Sequence, residues 1–181
     1  MGTKSTFKKD VAIQAILYAA QHVERKDIHK ICKILYFADQ DHLSKYGRSI
    51  TGDTYIAMPF GPVPSNVEDI FKAVRGDSFF SDCVDDLKEY FDFINKYVLI
   101  TKKKADTDYL SESDLECLDK AIEKCKDKSF NELTEMSHDL AWSNTQRDRA
   151  ISIKDILREV GDDEEYVSYI DRKIATEDMF I

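Results

Sequence analysis

Residues 30–65 read KICKILYFADQDHLSKYGRSITGDTYIAMPFGPVPS. Ile31, Leu35, Ala38 and His42, with Ile28 just before them, recur at three- and four-residue intervals. That spacing predicts an amphipathic helix with one apolar face. Ile34 and Leu43 widen the stripe, while Tyr36 and Phe37 fall off its centre and are expected to meet other elements. Asp27 is placed to cap the helix, and Gly47 to end it in a left-handed conformation. Thr51, Gly52 and Asp53 form a turn, and residues 54–58 read as a short strand. All three prolines of the chain, Pro59, Pro62 and Pro64, follow. They argue against regular structure directly after the strand. The result is a stiff helix-to-strand corner beside a rigid apolar loop, better suited to gripping another protein than to transforming a substrate.

Outward from this corner the pattern is mostly helical. Residues 10–23 are apolar nearly all round and predict a largely buried helix. Ser65 with Glu68 reads as a capping box that opens a third helix, and Gly76 ends it. Two β-rich runs, residues 90–94 and 97–101, flank Asn95 and Lys96 and predict a hairpin that lacks the usual turn glycine. With the strand near Tyr55 they would make one small antiparallel sheet of about three strands. Capping pairs at Ser111 and Asp114, Ser129 and Glu132, and Ser152 and Asp155 start three further helices. A last helix at residues 164–175 is expected to dock, with Asp162, Asp163, Glu164 and Glu165 at its N-terminus, where the helix dipole favours negative charge. The predicted fold is mainly α with a small antiparallel β-sheet (α+β). It is read as one domain over residues 1–181, with a core at 10–145 and a helical C-terminal extension at 146–181.

Composition sets limits on function. The chain has 181 residues and a net charge of −9. No stretch approaches a membrane span, and the N-terminus has no signal-peptide core. Gly2 with Ser5 and Thr6 is a loose myristoylation match, too short to be read as more than chance. Cys32, Cys83, Cys117 and Cys125 show neither a CxxC pair nor metal-ligand spacing. Cys117 and Cys125 would lie about 12 Å apart on one helix, too far for a disulfide. Buried cysteines in a cytoplasmic protein are expected. The one compact basic run, Lys102, Lys103 and Lys104, reads as a solvated edge, so direct nucleic-acid binding is disfavoured. An acidic surface suits a basic protein partner.

Several residues carry site readings. Asp39 and His42 share a helix at i and i+3. They are either half of an acid–base or metal site, with His138 and Asp139 as distal candidates, or orienting groups, with His42 donating to a nearby carbonyl. No HExxH pattern, nucleophile elbow or phosphate loop accompanies them, so no cofactor and no metal is expected. The loop Met58, Pro59, Phe60, Gly61, Pro62, Val63, Pro64 is the sharper surface candidate: prolines cut the entropy cost of ordering on binding, and exposed aromatics and methionines suit interface cores. Alternatively, Phe60 fills the core and the loop only turns a corner. Tyr55 and Arg48 flank the same corner, and Arg48 has two candidate partners, Asp53 or an acidic group on a bound protein. Trp142, the one tryptophan, is read either as core or as partner contact.

The stretch quoted above resembles the signature of the Panacea domain, also called the SocA-like antitoxin domain. The residues that carry the resemblance are Lys33, Leu35, Tyr36, Phe37, Ala38, Asp39, His42, Leu43, Tyr46, Gly47, Ile50, Thr51, Gly52, Asp53, Tyr55, Ala57, Met58, Gly61, Pro62, Val63 and Pro64. A second patch, LSESDLECLDKAIEKC at residues 110–125 followed by Ser137 to Trp142, is similar to the family's distal part. The resemblance implies an antitoxin of a two-gene module in bacteria, phages or prophages, paired with a cognate protein toxin and without enzymatic activity. It also implies an alternative, since at least one member acts as an adaptor that delivers its toxin to a cytoplasmic ATP-dependent protease. A reading from another class is a small metal-dependent hydrolase built on Asp39, His42 and His138. The segment after about residue 145 departs from the shared pattern.

Overall fold

The computed structural model describes residues 7–77 and 84–179. Cys83 and the Gly2 motif lie outside the described residues. The elements run α1 (Lys9–Gln21), α2 (Ile28–Tyr46), β1 (Tyr55–Met58), β2 (Gly61–Pro64), α3 (Ser65–Arg75), α4 (Val84–Lys88), β3 (Phe91–Ile94) and β4 (Val98–Thr101). They continue with α5 (Glu112–Cys125), α6 (Phe130–Ser137), α7 (Leu140–Ser143), α8 (Ile153–Glu159) and α9 (Glu164–Met179). The architecture is mainly helical, with two small antiparallel sheets of two strands each.

Helix α2 is the axis. It packs against α1, α5, α6, α8 and β2, and every position from Lys30 to Gln40 is buried, as are His42 and Leu43. This corrects the single-faced helix expected from its pattern. Its apolar stripe faces only some of its neighbours, and its polar positions are buried against the others. A polar group taken from water must find a partner inside, and α2 satisfies its polar groups by reaching to other elements. The Lys30 Nζ donates to the Lys126 carbonyl beyond α5. Tyr36 Oη and Gln40 Nε2 donate to Asp139 Oδ2 at 2.9 and 3.0 Å. Asp39 accepts from the Ile50 amide at 2.7 Å, from Thr51 Oγ1 at 3.0 Å and from Tyr55 Oη at 2.7 Å. Asp27 caps α2 through the Lys30 amide, and Gly47 ends it at φ +67°.

The sheet differs from expectation in two ways. The prolines do not end the strand. Residues 61–64 return as β2, with Ala57 opposite Pro62 and Tyr55 opposite Pro64. Proline fits there because alternate antiparallel pairs exchange no hydrogen bonds, so at Pro62 and Pro64 the ladder asks for no N–H. Nor does β1 join the second hairpin. Its other edge is taken by residues 148–151, through the Ala57 amide to the Arg149 carbonyl and the Ile151 amide to the Tyr55 carbonyl. The β3–β4 hairpin stands separately, with Phe71 of α3 edge-on to Phe91 and Phe93. The missing turn glycine is met by Asn95 and Lys96, which both adopt positive φ.

Capping boxes form at Ser111 with Asp114 and at Ser129 with Glu132, and Ser152 caps α8. The box expected at Ser65 and Glu68 does not form. Asp53 caps α3 instead, accepting from the Asn66 and Val67 amides at 2.9 Å each, and Glu68 pairs with Arg75. Tyr166 and Lys173 of α9 donate to the Leu43 and Gly47 carbonyls at the end of α2. Among the described residues, no helix is long and apolar enough to cross a membrane.

Asp39 is 1 % exposed and no cation pairs with it among the described residues. Burial raises its carboxyl above the usual range, against the lowering effect of the Tyr55, Ile50 and Thr51 hydrogen bonds. Replacing it leaves four buried donors, the Ile50 and Thr51 amides and the Thr51 and Tyr55 hydroxyls, without this acceptor, so Asp39→Ala should lower the unfolding free energy in urea by about 3 kcal/mol. Asp41→Ala, which removes a half-exposed group paired with Lys45, should cost under about 0.5 kcal/mol. Equal effects of the two substitutions would contradict this account of Asp39.

Candidate functional site

The β1–β2 hairpin turns through Pro59 and Phe60, and its carbonyls are held one after another by side chains from elsewhere in the chain. Trp142 Nε1 donates to the Met58 carbonyl at 2.9 Å. His138 Nε2 lies 3.1 Å from the Pro59 carbonyl, and His29 Nε2 lies 3.2 Å from the Phe60 carbonyl. Lys33 Nζ donates to the Pro62 carbonyl at 2.9 Å. These four donors come from α6's end, α7 and α2. The rings are themselves packed: His138 stacks on Trp142 with centroids 3.7 Å apart, and His29 stacks on Phe130 at 3.9 Å. Gly61 closes the turn at φ +96°, and a Cβ there would meet Ser137 Oγ at 2.2 Å and Lys33 at 3.0 Å. Only glycine permits both that backbone and that approach.

The fixed backbone presents its side chains outward. Phe60 is 59 % and Met58 38 % exposed, and Pro59 is exposed as well. Phe60 therefore does not fill the core; its ring stands edge-on to Phe130 at 5.3 Å. Trp142 is half-buried beside Met58 and Pro59, at the edge of a cleft of about 310 Å³ that also includes Arg147.

Three of the residues read as surface contacts stand elsewhere. Tyr55 is 3 % exposed, with its hydroxyl spent on Asp39. Pro62 is buried, with its carbonyl on Lys33. Both support the tip from beneath and present no surface to a partner. Arg48 pairs with Asp114 at 2.9 Å and with Ser111 Oγ at 3.1 Å, not with Asp53, whose carboxylate is committed to α3. The other guanidinium hydrogen bond of Arg48 goes to the Ser49 carbonyl at 3.3 Å.

Asp39, His42 and His138 do not form one site. His42 Nδ1 donates to the Arg48 carbonyl at 2.8 Å, the orienting role read from the sequence, and Nε2 lies 3.0 Å from Ser113 Oγ and from Asp114 Oδ1. Burial alone would raise the Asp114 carboxyl, but His42, Ser111 and Arg48 hold it well below the usual carboxylate range. Asp39 faces the 50–55 loop, and His138 faces Pro59. Among the described residues, no group of three His, Cys, Asp or Glu side chains stands together to hold a metal ion. Cys32, Cys117 and Cys125 are free and buried, and burial pushes the Cys32 and Cys117 thiols up to about 12, which leaves them unreactive.

The family model described as antitoxin SocA-like, Panacea domain, matches residues 31–143. The chain belongs to this family. No curated protein and no solved structure matches it. The Panacea span holds the whole hairpin and three of its four carbonyl donors, Lys33, His138 and Trp142. The fourth, His29, lies just before it, and residues 148–151, which cover the hairpin's outer edge, lie just after. Sequence reasoning gave no site role to His29, Lys33 or Phe130. Their contacts to the hairpin span 29 residues or more, with no local signal beyond polar residues placed within a helix as apolar as α2.

His29 gives the site a pH signature. Burial pushes its imidazole down to about 4, helped by the neighbouring Lys33 and Arg25 and opposed by the Phe60 carbonyl and Asp27. The unfolded histidine takes up its proton near pH 6.5. Between these values the unfolded chain binds more protons, so stability is lost as pH falls from about 6.5 to about 4. His29→Gln, which keeps a donor for Phe60, should flatten the fall in melting temperature between pH 6.5 and pH 4.5. A variant with the wild-type slope would show that His29 is not held neutral.

Proposed function

We propose that this chain is the antitoxin of a two-protein module and neutralises its toxin by direct binding, with the hairpin tip Met58, Pro59 and Phe60 as the central contact and Trp142 at its flank. The observation that carries the reading is the carbonyl-by-carbonyl fixation of that tip by Trp142, His138, His29 and Lys33. A loop already ordered loses little conformational entropy on binding. Here that economy is spent on exposing an aromatic and a methionine, residue types favoured at interface cores. The polar groups nearby are engaged in holding the backbone, which supports blockade without covalent chemistry and a non-enzymatic role, and free buried cysteines suit the reducing cytoplasm. A net charge of −9 suits a basic toxin, through steering of the encounter.

The test is growth rescue on co-expression with the toxic reading frame beside this gene. Phe60→Ala should abolish rescue while the melting temperature stays within about 2 °C of wild type, because the ring is mostly in solvent. Rescue should persist in a host lacking its ATP-dependent proteases; loss of rescue only in that host would replace blockade with proteolytic delivery. Full rescue by Phe60→Ala would remove the hairpin tip from the interface.

A further inference from the structure

The tip cannot be the whole interface. A stable protein complex buries about 800 Å² on each side, over some 20 to 30 residues, and Met58, Pro59 and Phe60 supply a fraction of that. One direction out of the tip is apolar without a break. Phe60 touches Phe130, which is 38 % exposed at the start of α6, and Phe130 stacks on His29 near the start of α2. Beyond Phe130 lies a groove of about 340 Å³ walled by Ile28, Val98 and Tyr97 as well as Phe130, and its surface is apolar almost throughout. Tyr97 is 69 % exposed at its rim. Several polar groups at the groove are already engaged: the Ile28 amide is bonded to the Tyr97 carbonyl at 2.9 Å, Arg25 is ion-paired with Asp27, and His29 Nε2 is engaged with Phe60. Arg25 Nη2 and His29 Nδ1 are buried at its polar end without a hydrogen-bond partner.

Resting on the reading of the hairpin as the toxin-binding element, we propose that the toxin's footprint crosses Phe130 into this groove. There a single large apolar side chain of the toxin, aromatic or long aliphatic, is anchored between Tyr97 and Phe130. The form of the groove supports this. Interface energy concentrates where an apolar anchor enters a desolvated pocket next to further aromatic contacts, and Phe60 provides those contacts on the near side. The cleft on the opposite flank, beside Trp142, is a poorer receptor for such an anchor because Ser143, Thr145 and Arg147 line it. Strand addition is disfavoured as well: Pro62 and Pro64 strip β2's free edge of donors, and residues 26–28 already bond to the free side of β4.

The groove also gives the second hairpin a part in recognition. Tyr97, in the turn, and Val98, the first residue of β4, lie 37 and 38 positions after Phe60, and Phe130 lies 70 positions after it. The anchor would therefore tie together three segments that meet only in the folded protein. A toxin lacking the anchor would be left with the tip alone, so the groove acts as a filter among toxins that could all touch Phe60.

The experiment measures binding of the full chain to an inactive form of the toxin from the adjacent reading frame, by calorimetry. The expected result is that Tyr97→Arg and Phe130→Arg each weaken binding at least about tenfold, with Tyr169→Arg on exposed α9 as the unaffected control. Tyr97→Arg alters a side chain mostly in solvent, so it reports even if Phe130→Arg fails to fold. If Phe60→Ala weakens binding while Tyr97→Arg stays within about twofold of wild type, the groove proposal is overturned and the hairpin reading stands. If all three stay within that range, both fail. A free chain that sediments as a dimer, and as a monomer after Tyr97→Arg, would assign the groove to a second copy and also overturn the proposal.

Discussion

A helix buried on every side imposes a condition on the rest of the chain: each polar side chain it carries must meet a partner, because an unpartnered one costs on the order of 1–3 kcal/mol. Helix α2 carries Lys30, Lys33, Tyr36, Asp39, Gln40 and His42 in that setting. The position of its neighbours follows from the condition. The end of α5 sits where Lys30 can reach its carbonyl. The 50–55 loop sits where Asp39 can collect its amide and hydroxyls. Helix α7 begins at an aspartate that Tyr36 and Gln40 both address, and the β1–β2 hairpin lies where Lys33 meets Pro62. These contacts are directional, so they fix orientation as well as proximity, which apolar packing alone does not do.

The same arrangement produces a surface that is rigid for a reason that can be named. At the hairpin, side-chain N–H groups satisfy main-chain carbonyls that water would otherwise take. The backbone is held from inside while Met58, Pro59 and Phe60 face outward. Polar and glycine positions within the Panacea span hold segments of this chain against one another. Asp39, His42, Asp53 and Gly61 are the joints of a scaffold that leaves Met58, Pro59 and Phe60 exposed.

Much of the fold was legible in the sequence because the relevant physics is local. Caps at Asp27, Ser111, Ser129 and Ser152 act over three residues, and Gly47 ends α2 by its own backbone freedom. What escaped was non-local. Asp53 replaces the expected box at Ser65 by reaching 13 residues along the chain. The pairing of β1 with a proline-bearing β2 depends on which side of the ladder each proline faces, which composition does not reveal. The all-round burial of α2 was hidden by its lysines and aspartates, ordinarily signs of solvent. At the site, Met58 and Phe60 are exposed and Trp142 stands beside them, so the apolar loop is a surface and does not fill the core. Tyr55 and Pro62 were misplaced because a residue at a corner can face either way, and Arg48 because Asp114, its partner, is 66 positions distant.

The account stands on the hairpin being ordered before any partner arrives. Backbone ¹⁵N relaxation of the free protein measures this directly at the Phe60 and Gly61 amides. Order parameters of about 0.85, equal to those of α2, are the predicted result. Values under about 0.6 at those two amides, with α2 rigid, would contradict it, since a tip that moves freely is not held by His29, His138, Lys33 and Trp142.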